Sequence, residues 1–151
     1  MKLPIYQVDA FTDQLFKGNY AAVVPLSEPI STGLMQQIAT ENNLSETAFV
    51  LELAPDHYQI RWFSPLTEID FCGHATLAAA FVLFDQSDRS ELRFTTLEVG
   101  DLVVSKQAND WIQMDFPKRP ASPVTAPEAL LAGLSIAPTL VLRSAQAYFA
   151  I

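Results

Sequence analysis

Residues 71 to 84 read FCGHATLAAAFVLF, so the chain's one cysteine, Cys72, and one of its two histidines, His74, flank Gly73 where a long apolar run begins. A thiol, an imidazole and a glycine at this spacing suit proton transfer beside a bound anion. If the run is a helix, its first-turn N–H groups near Gly73, His74 and Ala75 have no intrahelical acceptors. The aligned peptide dipoles place roughly half a positive charge there, which favours a carboxylate ligand. Glycine lets a ligand approach the backbone closely, and an imidazole exchanges protons near neutral pH. A helix start can also lower a thiol pKa, which leaves a catalytic Cys72 chemically open. Taken alone, the same three residues fit a structural cysteine beside a capping histidine.

A helix that is apolar on every side has no solvent face, so strands must wrap it. Nearly every side chain from Ala75 to Phe84, including Leu77, Phe81 and Phe84, is expected to be buried. The strand candidates are Pro4 to Ala10, Tyr20 to Val24, and a hairpin of Glu46 to Leu53 and Tyr58 to Phe63 across the turn APDH. His57, in that turn, is expected to be exposed. Ser31 to Asn42 reads as an amphipathic helix with Leu34, Met35, Ile38 and Ala39 on one face. Further on, ELRFTT, EVGDLVVS and DWIQMDF read as strands, with a bulge or kink at Gly100-Asp101 and a turn at Ala108-Asn109-Asp110. Alternation puts Glu68 and Asp70 on the face opposite Ile69 and Phe71, and a structural hydrogen-bonding role is expected for Glu68.

Pro117, Pro120, Pro123 and Pro127 then mark an extended, semi-rigid linker. After it come a short helix around Glu128 to Leu134 and strands at Thr139 to Leu142 and Gln146 to Ile151. The domain reading is therefore a first lobe over 1–117, a linker and short helix over 118–138, and the initial strands of a second lobe over 139–151. The apolar end AQAYFAI suggests a chain that continues in a longer protein, since a terminal carboxylate on Ile151 is costly to bury.

At 151 residues, with 50% apolar and 17% charged residues, the chain has the composition of a globular domain. Its net charge of −8, without any basic run, argues against nucleic acid and anionic membrane partners. The opening MKLPIYQVDAF has no secretory signature, and the apolar run from Ala75 to Phe84 is about half of the ~20 residues that span a bilayer. One cysteine cannot form an internal disulfide, which fits a reducing cytoplasm. No phosphate loop, zinc spacing or nucleotide fingerprint is present, and no metal or organic cofactor is expected.

The stretches QVDAFT, GNYAAVV, ENNLSETAFV and YQIRWFSPLTEIDFCGHATLAAA, in this order and spacing, closely resemble the phenazine-biosynthesis isomerase family, the PhzF-like proteins of the diaminopimelate-epimerase fold. The resemblance covers nearly all of residues 1–117. It implies an α+β protein in which a strongly curved mixed β-sheet rolls around one buried central helix, about 72–86, with an active site in a cleft between two lobes. It further implies that Glu46, in LSETAF, is a catalytic general base and acid. Apolar Ala48, Phe49 and Val50 nearby would desolvate it and strengthen it as a base. By the same resemblance His74 is catalytic, orienting substrate or relaying a proton, while Gly73, Asn19 and Cys72 bind substrate. Tyr20 stands where the family usually has proline after Gly-Asn, which alters that cleft edge. In related racemases a cysteine before this glycine is a proton-transferring thiol; those enzymes resemble Cys-Gly-Asn here, and His74 with Glu46 favours the isomerase branch. The implied function is cofactor-independent movement of a proton at carbon in a small carboxylate, by a cytoplasmic homo-oligomer, with a homodimer the expected form. A cysteine-dependent epimerase and an inactive binding or scaffold fragment are the alternatives.

Overall fold

The computed structural model describes residues 2–116, 118–145 and 147–151. Met1, Pro117 and Gln146, at which three of the expected segments begin or end, lie outside the described residues. The chain forms two compact units that divide after Phe116.

In the first unit, β1 (Tyr6–Ala10), β2 (Asn19–Leu26), β3 (Thr47–Ala54) and β4 (His57–Phe63) are followed by the short β5 (Glu68–Ile69). After the central helix come β6 (Glu91–Thr95), β7 (Asp101–Lys106) and β8 (Ile112–Met114). They make one sheet in the order β1-β2-β3-β4-β6-β7-β8, with β5 paired to β4. The sheet is mixed: β2 with β3 and β4 with β6 run parallel, and the other pairs are antiparallel. Each parallel step encloses a helix, α1 (Thr32–Asn42) in the first and α2 (Gly73–Asp85) in the second.

Strand alternation gives this sheet two apolar faces. Ala21, Val23, Ala48, Val50, Ile60 and Trp62 pack on α2, whereas Val24, Leu26, Phe49 and Phe63 pack on Met35 and Ala39 of α1. Ser31 caps α1 by accepting the Leu34 N–H at 3.2 Å. The helix α2 contacts β1, β2, β3, β7 and β8, which the sheet can bring to one rod only by curling. The expected fold class, a curved mixed sheet around a central helix, is what the structure shows.

The wrapping is incomplete, which corrects the expectation for α2. Ala75, Thr76, Ala78, Ala79 and Ala80 are inaccessible, but Leu77 is half-buried and Phe81 is 52% exposed. His74, Leu77 and Phe81 recur at spacings of three and four, so they form one stripe along which the covering thins, from His74 at 12% exposure to Phe81 at 52%. Four alanines on the covered sides explain the close approach of the strands. A second correction concerns Glu98 to Gly100, expected within a strand: the hairpin loop between β6 and β7 lies there, with Thr96 Oγ1 donating to Gly100 O at 2.8 Å and Gly100 at φ 78°. Third, His57 is half-buried, its Nε2 standing 2.7 Å from Thr95 Oγ1.

The second unit contains β9 (Ser122–Pro123), α3 (Glu128–Ala132), β10 (Val141–Arg143) and β11 (Tyr148–Ala150), with a sheet in the order β11-β10-β9. Part of the segment read as a linker is thus a strand, with Leu142 opposite Pro123 and Arg143 opposite Ser122.

Candidate active site

Glu46 immediately precedes β3, where its carbonyl accepts the Ala22 N–H at 3.0 Å and so locks the parallel register of β2 and β3 at this end of the sheet. Cys72 is the N-cap of α2, in extended geometry, and its side chain caps no N–H group. The helix start is instead tied down by Thr76, whose N–H and Oγ1 both donate to the Cys72 carbonyl, at 3.2 and 2.6 Å. Upstream, the Arg61 guanidinium grips Glu68 with two bonds of 2.7 Å, which holds β5 to β4 and thereby aims the segment leading into α2. This is the structural role expected for Glu68, and bidentate pairing is the geometry for which arginine is suited.

These constraints bring Glu46, Cys72 and His74 together. His74 Nε2 stands 3.0 Å from Glu46 Oε2, and His74 Nδ1 stands 3.4 Å from Cys72 Sγ. The side chains are 12% exposed for His74 and 21% for Glu46. Glu46 Oε2 and His74 Nε2 are shielded from solvent, and neither has a well-directed hydrogen bond. At 3.0 Å each is the other's close partner, and the poor direction of that contact leaves hydrogen-bonding capacity for a further group.

Burial pushes the Cys72 thiol up from 9.0 to about 11, against the pull of the Ala75 backbone N–H, with the Glu46 carboxylate adding to the rise and the His74 N–H opposing it. The expectation that a helix start could activate this thiol is therefore reversed, because desolvation of a thiolate outweighs the helix-end donors.

Gly73 has an aromatic ring on one side. A Cβ built there would meet Phe116 Cζ at 3.3 Å and Phe116 Cε1 at 3.4 Å. Phe116 stacks edge-on against Phe71, at 5.3 Å between centroids. Sequence reading missed Met114 and Phe116 as neighbours of the helix start, since they come from the end of β8 and the residues just after it and carry no local signal.

Asn19 sits at the start of β2, opposite Ala10 of β1. Gly18 fixes it there, since a Cβ would lie 2.3 Å from Ala10 O, a clash with a backbone atom that only glycine avoids. Asn19 is exposed, and among the described residues its side chain makes no hydrogen bond to the Glu46, Cys72 and His74 trio.

No helix of the described residues is long and apolar enough to cross a membrane. The family model for "Phenazine biosynthesis-like protein" matches residues 8–143. An uncharacterized isomerase of Pseudomonas aeruginosa is 48% identical over 146 residues, which is 95% of this chain and 55% of that protein. The crystal structure of a PhzF family protein from Enterococcus faecalis superposes with a TM-score of 0.80 at 42% identity, covering 93% of this chain and 54% of that one. A "predicted epimerase" of Pseudomonas aeruginosa shares the fold at 21% identity, with a TM-score of 0.71, covering 93% of this chain and 56% of that one. The chain spans about half the length of the relatives that it matches. With its motifs, its curled sheet and these matches in agreement, the chain belongs to the phenazine biosynthesis-like protein family.

Proposed function

We propose that the protein is a cofactor-independent isomerase that moves a proton at carbon in a small carboxylate-bearing substrate. The observation that carries this reading is the shielded Glu46 Oε2 beside His74 Nε2, a carboxylate and an imidazole in contact and without well-directed partners. Glu46 takes a proton from one carbon as its C–H electron pair shifts into the substrate's π system. The resulting carboxylic acid returns the proton to another carbon, and the carboxylate is restored with no net oxidation. His74 orients Glu46 or the substrate, and the α2 start, with Gly73, Cys72 and Asn19 around it, receives the substrate carboxylate. The raised thiol pKa supports a packing role for Cys72 over a nucleophilic or proton-transferring one. Residues 118–151 begin a second lobe in this reading, and the protein works in the cytoplasm as a homo-oligomer.

The test is proton exchange. The protein is incubated with small cyclic and amino-acid-like carboxylates in D2O, and deuterium entering at carbon is followed by NMR. Glu46→Gln keeps shape and hydrogen bonding while removing the base, and exchange should fall by about 10²–10⁴-fold. Undiminished exchange in Glu46→Gln would take this carboxylate out of the mechanism. Exchange that survives Glu46→Gln and is lost on alkylation of Cys72 would move the chemistry to the thiol.

A further inference from the structure

We infer that Glu46, Cys72 and His74 form a binding site for a borderline-soft divalent cation of the zinc class. One donor atom from each residue lies within 4.8 Å of the others, a carboxylate oxygen, a thiol sulfur and an imidazole nitrogen. Nothing in the spacing along the chain announces this set, because Glu46 comes from the start of β3 and the other two from the start of α2.

Three features favour a cation here. The first is the donor set. Sulfur and imidazole nitrogen together select zinc-class ions over magnesium and calcium, which take oxygen ligands throughout. The second is geometry. Zinc bonds of about 2.3 Å to sulfur and 2.0–2.2 Å to nitrogen and oxygen put tetrahedral donors roughly 3.5 Å apart. The Sγ to Nδ1 and Nε2 to Oε2 separations, 3.4 and 3.0 Å, both fall a little below that value. The imidazole stands between its two neighbours, and an ion engages one ring nitrogen only. Closure therefore requires one neighbour to swing round about its side-chain torsions, a movement on the order of 1 Å from the widest separation. The third is the shielded pair: Glu46 Oε2 and His74 Nε2 meet at 3.0 Å in poor hydrogen-bonding geometry, a contact that an ion replaces with directed bonds.

Three protein ligands leave a fourth position for water, the arrangement of an open zinc site. The small residual exposure of His74 and Glu46 marks the side from which an ion enters. Cys72, 7% exposed, is out of reach for a bulky reagent but not for a bare ion. An ion held there occupies the lone pairs of Glu46, so it blocks proton transfer. That inhibition rests on the catalytic reading of Glu46, whereas the binding itself does not.

Cobalt(II) is the probe. The 151-residue chain, cleared of metal and kept reduced with a phosphine, is titrated with Co²⁺ and followed by absorption. The expected result is one equivalent bound, with a near-ultraviolet thiolate-to-cobalt charge-transfer band and the intense visible bands of four-coordinate cobalt, all erased by Zn²⁺. Cys72→Ala should abolish the charge-transfer band. Glu46→Gln should weaken binding by more than the roughly 10–100-fold typical of losing an outer-shell partner. Far-ultraviolet circular dichroism of the metal-free variants checks that they fold, and Cys72→Ser serves if Cys72→Ala does not. His57→Gln, on the distant hairpin, should leave the spectrum as it is. No thiolate band at millimolar Co²⁺, or a spectrum that persists in Cys72→Ala or is lost in His57→Gln, overturns the site. Zinc bound without loss of proton exchange would leave the site standing and remove Glu46 from the proposed mechanism.

Discussion

The thiol of Cys72 is the residue at which local and tertiary effects compete most openly. A helix N-cap position favours the thiolate, but enclosure by the sheet disfavours it more, and the group ends at about 11 instead of 9.0. Two outcomes follow. Iodoacetamide should react slowly with the folded chain at neutral pH, the rate rising about tenfold per pH unit well past 9, since the thiolate is the reacting species. Stability is linked in the same direction. A raised folded pKa means that the fold prefers the protonated thiol, so its contribution is complete below pH 9.0 and is lost as pH climbs through about 11. Thermal melts of the wild type and Cys72→Ala, compared at pH 8 and pH 11, should show the wild type losing roughly 2–3 kcal/mol more over that range. Parallel pH dependence in the two proteins would mean that the thiol is not desolvated.

At the scale of elements, α2 has two unlike sides, and mutation should tell them apart. Ala79 is fully buried against the sheet, so Ala79→Leu must displace strands and should cost about 1–3 kcal/mol in a denaturant melt. Phe81 lies at the thinly covered end of the stripe at 52% exposure, and Phe81→Ser should change stability by at most about 0.5 kcal/mol. Equal costs at the two positions would contradict the partial wrapping. Gly73 offers a third element-scale check. Gly73→Ala presses a methyl group on the Phe116 ring at 3.3 Å, and because Phe116 is half exposed it can yield. Gly73→Ala should therefore change stability by at most about 0.5 kcal/mol in a denaturant melt, and a larger loss would mean that the ring is held in place.

For the whole molecule, the exposed apolar side chains are the feature that governs behaviour in solution. Phe11, Leu15 and Phe16 on the loop between β1 and β2 are 72%, 80% and 90% exposed, and Leu66 is 90% exposed. Surfaces of this kind mark interaction sites. Sedimentation velocity of the 151-residue chain should show species larger than a monomer, as the proposed homo-oligomer requires. Phe16→Ser combined with Phe81→Ser should move the distribution toward monomer. A monomer at all concentrations in the parent chain would remove the oligomer from the proposal.

Sequence by itself determined the local framework. The capped amphipathic α1, with Met35 and Ala39 inward, follows from spacing, and so do the hairpin around Pro55-Asp56 and the start of α2 at Gly73. These depend on neighbours within a few residues, and the motif order carried the fold class as well. Tertiary structure decided what distant segments impose on one another. It placed the Glu46 carboxylate on the His74 imidazole, a contact across 28 residues that β2–β3 pairing and the Arg61–Glu68 clamp create together. It brought the Phe116 ring against one side of Gly73, a neighbour that no local pattern announces. It left Phe81 exposed and Leu77 only half-buried, because a curled sheet can close around only part of a helix whose composition is apolar on every side. It also reversed the charge preference of Cys72, since a helix terminus is visible in the sequence whereas the depth at which the folded chain buries it is not.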